Sequence, residues 1–282
     1  MMSEILEYNK IRRILIPTNK NPLMGKAIEF VTSIFPNAEY YLIGVVDISG
    51  ESLLLYSSYS AEYFDVLESL EKEAIDESIK ILKEKNAKVV DSVLLKGYPS
   101  KTILNYASKN EINMILLTTS SKLGTEQIKL GSTAKLIIER SRIPTMLITP
   151  FSKFTGTKKI LNPTSGSKYS FRASMLSINF AKQFEGSVKI LHLGKIKDEK
   201  TINILRDYAT KMNVPFEIEE VRDENLVHRI IEESKAHDIM IASRGRPGFA
   251  YKFRYFSPEL ALGKLEREVI ELSPVPIILV NE

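Results

Sequence analysis

The feature that most constrains this chain is that it repeats itself once. Arg12-Arg13-Ile14-Leu15-Ile16-Pro17-Thr18-Asn19 recurs as Lys158-Lys159-Ile160-Leu161-Asn162-Pro163-Thr164-Ser165. Asn113-Met114-Ile115-Leu116-Leu117-Thr118 recurs as His237-Asp238-Ile239-Met240-Ile241-Ala242, and Ser141-Arg142-Ile143-Pro144-Thr145-Met146-Leu147-Ile148 as Ser273-Pro274-Val275-Pro276-Ile277-Ile278-Leu279-Val280. The three blocks keep their order in both halves, so one fold unit occurs twice. The 282 residues suit two domains, 1–150 and 151–282, joined by the short polar Pro150–Lys158 stretch. Matched blocks are offset by 146 (158 against 12), then 124 (237 against 113), then 132 (273 against 141). The second copy therefore lacks a piece corresponding to Ile48–Leu70. It gains one between Gly245 and Gly263, at about 246–257. Loop edits of this size cost little.

Each copy alternates short apolar runs with segments of helical periodicity. In the first copy the runs are Ile14–Pro17, Tyr40–Val46, Val89–Leu95, Met114–Thr118 and Thr145–Thr149. Continuous apolar runs suit parallel strands buried on both faces, and βαβ alternation implies right-handed crossovers in a doubly wound sheet. The expected fold is α/β: two Rossmann-like domains, each a five-stranded parallel sheet flanked by helices. Their last strands, Thr145–Thr149 and Ile277–Val280, are expected at sheet edges.

Composition removes several chemistries. There is no cysteine, which excludes disulfides and thiolate catalysis, and the three histidines, His192, His228 and His237, lack ligand spacing. A formal charge of +4 falls short of the concentrated basic footprint of a nucleic-acid binder. The polar start, Met1–Asn9, is no secretory signal, and no window reaches the length of a membrane span. A cytoplasmic protein without membrane insertion is expected. No carboxylate pair and no nucleophile with a base stands out, so no catalytic residue and no metal site is assigned.

Ligands of such sheets bind beyond the carboxyl ends of the strands, where strand order reverses. Strand one ends at Pro17-Thr18-Asn19-Lys20-Asn21. Strand four ends at Leu117-Thr118-Thr119-Ser120-Ser121, and nine residues on, Gly131-Ser132-Thr133 opens a helix whose N–H groups favour phosphate. At these residues the chain resembles the universal stress protein family. That family carries Pro-Thr-Asp after strand one and a Gly-x-x-Gly turn after strand four, then nine residues and Gly-Ser or Gly-Thr. The resemblance implies the adenine nucleotide alpha hydrolase-like fold, with the two edge strands paired antiparallel in an intrachain pseudo-dimer. It also implies ATP or a related adenine nucleotide, with Mg as companion ion if ATP binds. Asn19 and Val45 fall on the nucleoside side and Thr118, Ser121, Gly131, Ser132 and Thr133 on the phosphate side, with Pro17, Thr18, Asn21 and Leu117 also among the expected nucleotide-binding residues. Asn19 replaces the family's Asp, and Thr118 and Ser121 replace the glycines. Backbone approach is lost, whereas hydroxyl donors are gained.

The second copy has Ser165 in the Asn19 position, a turn Ala242-Ser243-Arg244-Gly245, a spacer of seventeen residues and Lys264 after Gly263. A cradle of N–H groups tolerates a moved helix start poorly, so one nucleotide per chain is expected, in the first copy. The basic and aromatic run Arg244–Phe256 reads as packing or assembly surface, and Leu53–Phe64 as a cover for the pocket mouth or a partner surface. His192 reads as a hydrogen-bonded core histidine. The functional expectation is a nucleotide-responsive stress or signalling protein that does not hydrolyse its ligand rapidly and that has another copy or another protein as partner. The alternative is a scaffold of the same type that binds no nucleotide and acts through protein contacts.

Overall fold

The computed structural model describes residues 11–48, 61–121, 128–166, 170–196, 199–244 and 264–280. Of these, 11–118 with 132–137 form one compact unit, and 119–131 with 138–280 form a second.

The first unit runs β1 (Arg13–Pro17), α1 (Leu23–Ile34), β2 (Glu39–Asp47), α2 (Ala61–Glu84), β3 (Lys88–Gly97), α3 (Pro99–Lys109) and β4 (Met114–Thr118). Its strands lie in the order β4-β1-β2-β3, all parallel. Ile14, Leu15, Ile16, Leu42, Ile43, Ile115 and Leu116 are fully buried, as strands covered on both faces must be. α1 buries Met24, Ala27, Ile28, Val31 and Ile34, a helical stripe, and α3 begins with Pro99, whose fixed φ suits a first turn.

The second unit opens with a two-rung antiparallel ladder, β5 (Ser120–Ser121) with β6 (Ile128–Lys129). It continues through α4 (Ser132–Arg140), whose first residues belong to the first unit, to β7 (Thr145–Ile148), β8 (Lys159–Thr164), α5 (Phe171–Gln183), β9 (Ser187–Leu193), α6 (Glu199–Lys211), β10 (Phe216–Val221), α7 (Leu226–Ser234), β11 (Ile239–Ser243), α8 (Lys264–Leu272) and β12 (Ile277–Val280). The strand order is β10-β9-β8-β11-β12-β7. The segment β10-β9-β8-β11 repeats the order β3-β2-β1-β4, so the sequence repeat is a repeat of topology. β7 and β12, the last strands of the two copies, pair antiparallel with Ile277 opposite Leu147 and Ile278 opposite Met146, as expected. That pairing satisfies edges that would otherwise stand open.

The structure shifts one of the sequence matches by a residue. Asn113 accepts the backbone N–H groups of Arg12 and Arg13 through Oδ1, at 3.0 and 2.9 Å. In the second copy Asp238, not His237, does the same for Lys158 and Lys159, both at 3.0 Å. The true offset there is 125 (238 against 113), so Thr118 corresponds to Ser243 rather than Ala242. The sequence does carry the signal: an offset of 124 sets Met114 against Asp238, whereas 125 matches Asn113 with Asp238 and Thr118 with Ser243. The offset of 132 at the last block holds: Ser141 and Ser273 make the same two bonds, each to the backbone two residues on.

Prolines end the central ladder in both copies. β1 pairs with β2 through Pro17, but with β4 only at Ile14 and Leu15. β8 pairs with β9 through Thr164, but with β11 only at Ile160 and Leu161. A proline has no N–H to give the next rung, so each strand pair parts where the order reverses. Asn162 restores one link in the second copy: fully buried, it donates through Nδ2 to the Ile241 carbonyl at 2.6 Å and accepts from the Ser174 hydroxyl at 2.6 Å. In the first copy the same position is Ile16.

Candidate functional site

The carboxyl end of β1 flows into a short loop that the sequence shapes locally. Thr18 is buried and spends both donors on the Ile43 carbonyl, the N–H at 2.9 Å and the hydroxyl at 3.4 Å. Asn19 is exposed, and its Oδ1 accepts the Asn21 N–H at 3.0 Å, a side-chain turn of the kind Asn favours. Asn19 therefore presents its NH₂ group outward, a donor where the family's Asp would accept.

Asn21 does the most in this loop. Its Oδ1 accepts the Leu23 N–H at 3.0 Å, and its carbonyl accepts the Met24 N–H at 2.9 Å, which starts α1. Its Nδ2 donates to Oγ1 of Thr118 at 3.1 Å. The loop after β1 is thereby tied to the end of β4, across the point where the strand order reverses. Lys20 ties the same loop to α2, with Nζ 2.7 Å from Glu73 and 3.2 Å from Glu77. These are exposed pairs, and each contributes little to stability. Between loop and helix lies a cleft of about 240 Å³, lined by Asn19, Lys20, Asn21, Met24, Glu77 and Ile81.

Within the first unit the structure gathers seven of the expected residues, Pro17, Thr18, Asn19, Asn21, Val45, Leu117 and Thr118, at strand ends of one sheet. Pro17, Thr18, Leu117 and Thr118 are buried and Val45 is half-buried. Ser132 and Thr133 are the first two residues of α4 and belong to this unit, with Ser132 exposed. Gly131 and Ser121 belong to the second unit, Ser121 on β5 facing Ile128 in the ladder. The nine-residue spacer of the sequence is thus partly closed on itself by β5 and β6. Two-rung strands carry no periodicity to read, so nothing in the residue pattern announces them.

Glu71 of α2 is the residue that sequence reading missed. Its carboxyl lies beside Gly44 and takes a backbone hydrogen bond from Val45, and burial raises its proton affinity above the ordinary carboxylate range despite that bond. The missing side chain of Gly44 makes the approach of α2 possible, since a Cβ there would stand 3.0 Å from Ile75 and 3.1 Å from Leu94. Glu71 stands four residues from both Leu67 and Ile75, on the apolar stripe of α2, and an acid interrupting that stripe is the signal that could have found it.

In the second unit His192 is 3 % exposed and its Nδ1 donates to the Gly194 carbonyl at 2.9 Å, the hydrogen-bonded core histidine that the sequence suggested. Its Nε2 fills the space where a side chain at Gly166 would begin. Of the run Arg244–Phe256 only Arg244 is described, donating to the carbonyl of Glu139. The rest of that run, and Leu53–Ser60 of the other aromatic segment, lie outside the described residues; Ala61–Phe64 form the first turn of α2. Among the described residues no group of three or more His, Asp or Glu could hold a metal ion. No helix among them is long and apolar enough to cross a membrane.

A parallel sheet with a reversal of strand order, a turn-forming Asn after its first strand and a side-chain bridge to its fourth defines a Rossmann-like α/β protein. A family model described as Universal stress protein family matches residues 10–149, and the chain belongs to the universal stress protein family. Universal stress protein MJ0531 of Methanocaldococcus jannaschii is 29% identical over 146 residues, 50% of this chain and 83% of that protein. Among solved structures, a universal stress protein from Archaeoglobus fulgidus DSM 4304 superposes with a TM-score of 0.76, at 16% identity over 98% of both chains. A functionally unknown protein, PA1789 from Pseudomonas aeruginosa PAO1, superposes at 0.61, with 12% identity over 97% of this chain and 94% of its own. At these identities the structural likeness speaks to the fold, and it extends over both copies.

Proposed function

We propose that the first unit binds an adenine nucleotide, ATP by the family pattern, beyond the ends of β1 and β4, and that the chain signals its occupancy rather than turning the ligand over. The observation that carries this reading is the Asn21–Thr118 bond across the reversal point, where β1 and β4 have ceased to pair. It ties the two parted strand ends together through polar groups, in the place where doubly wound sheets take ligands. The outward NH₂ of Asn19 suits a ribose oxygen, and half-buried Val45 offers an apolar flank for a base. Ser132 and Thr133 place the N–H groups of a nine-residue helix toward phosphate. Magnesium, if it accompanies ATP, would be held chiefly by the phosphates. A partner, another copy or another protein, would read the occupied state.

Mass spectrometry of small molecules released from purified, denatured protein tests this directly. An adenine nucleotide is expected at no more than one per chain. Ser132→Glu, which sets a negative charge at the proposed phosphate position, should reduce ATP affinity at least about tenfold in calorimetry. A chain that neither carries nor binds adenine nucleotide would instead be the scaffold that acts through protein contacts alone.

A further inference from the structure

The orientation of one amide decides which way a buried hydroxyl can donate. Oδ1 of Asn21 faces the Leu23 N–H, which can only donate, so the side chain has its oxygen there and its NH₂ toward Thr118. The 3.1 Å bond therefore runs from Asn21 to Thr118, with Oγ1 as acceptor. Thr118 keeps its own hydroxyl proton, and among the described residues no acceptor takes it. Thr118 is 7 % exposed, and a hydroxyl proton left without an acceptor there is costly.

We infer that Asn21 is a positioning residue that sets the polarity of Thr118, so that the Thr118 hydroxyl presents a proton to an acceptor oxygen of the ligand, of the phosphate class. This rests on the nucleotide reading above and deepens it. A glycine at position 118 would offer only backbone; threonine with Asn21 behind it offers a side-chain donor whose direction is fixed before the ligand arrives. Preorganised donors of this kind lose little on binding. Asn21→Asp keeps the shape and reverses the polarity. A carboxylate can only accept, so Thr118 would donate to position 21 and have no proton left for the ligand.

The test is calorimetry on the full chain with ATP and with adenosine, each variant first checked for an unchanged thermal midpoint. Thr118→Val should weaken ATP about 10- to 100-fold, the range for a hydrogen bond to a charged group, while Thr118→Ser stays within about threefold. Adenosine, lacking phosphate, should bind the Thr118→Val and Thr118→Ser chains alike. The decisive comparison is Asn21→Asp in two backgrounds. If polarity is what matters, Asp costs at least about tenfold with Thr118 present and markedly less in the Thr118→Val chain. An equal loss in both backgrounds would mean plain charge repulsion and overturn the inference, leaving nucleotide binding intact. An unmodified chain that binds no ATP would overturn the nucleotide reading and this inference with it.

Discussion

Gly166→Ala is a perturbation whose effect can be worked out atom by atom. Gly166 holds φ at +68°, in the left-handed region, where a residue with a Cβ costs about 1–2 kcal/mol. The added Cβ would also stand 2.4 Å from Nε2 of His192, well inside contact distance. The ring cannot swing away freely, because it is buried and its other nitrogen is bonded to the Gly194 carbonyl. Displacing it forfeits that bond, about 1 kcal/mol, and adds about 1–2 kcal/mol of overpacking strain. The total comes to about 3–5 kcal/mol. Gly194→Ala is the matched control: its φ of +89° carries a similar backbone cost, but nothing lies within 4 Å of the new Cβ. It should lose only about 1–2 kcal/mol. Urea unfolding of the two variants, with the slope checked for constancy, gives the difference. Adding His192→Ala to Gly166→Ala should recover at least about 1 kcal/mol relative to the sum of the single changes. Equal losses for the two glycine variants, or simple additivity with His192→Ala, would refute the steric account.

Asn162→Ala should cost about 1–3 kcal/mol in the same assay, because it leaves the buried Ile241 carbonyl without its donor and the Ser174 hydroxyl with only the Ser170 carbonyl at 3.3 Å; no measurable loss would show that neither bond matters. Glu71→Gln should raise the thermal midpoint at pH 7 by about 1–3 °C. The folded-state pKa of Glu71 is raised, so the stability it supplies is present below the unfolded value and lost as pH climbs through the folded one. The advantage of Gln over Glu should therefore grow from pH 4 to pH 7, and a gap that shrinks over that interval would contradict the sign.

The parts of this molecule that repeat at short range were the parts that could be read in advance. β1, β2, β4 and β12 begin and end within a residue of the apolar runs that announced them, because a buried parallel strand has to be apolar on both faces. The antiparallel meeting of β7 and β12 came from family likeness rather than from residue pattern. The bond from Asn21 to Thr118 joins residues 97 positions apart, and no local rule links an amide in a loop to a hydroxyl at a strand end. Glu71 was legible only in part, as an acid on the apolar stripe of α2. Its character comes from Gly44 allowing α2 close to the sheet, which is a property of packing and not of the helix sequence.

The pairing of β7 with β12 inside one chain has a consequence for how such a protein can diversify. Two separate copies meeting through the same strands would associate only as their concentration allowed, and both would carry every substitution made to either. With the strands on one polypeptide, each meets the other at an effective concentration on the order of millimolar, whatever the abundance of the chain. Each copy is then free to change alone. Asn162 links β8 to β11 where the first copy has Ile16, and His192 stands against Gly166. Meanwhile Asn21 and Thr118 are joined between the ends of β1 and β4 in the first copy. A self-associating single domain could hold only one of these arrangements; the joined chain holds both.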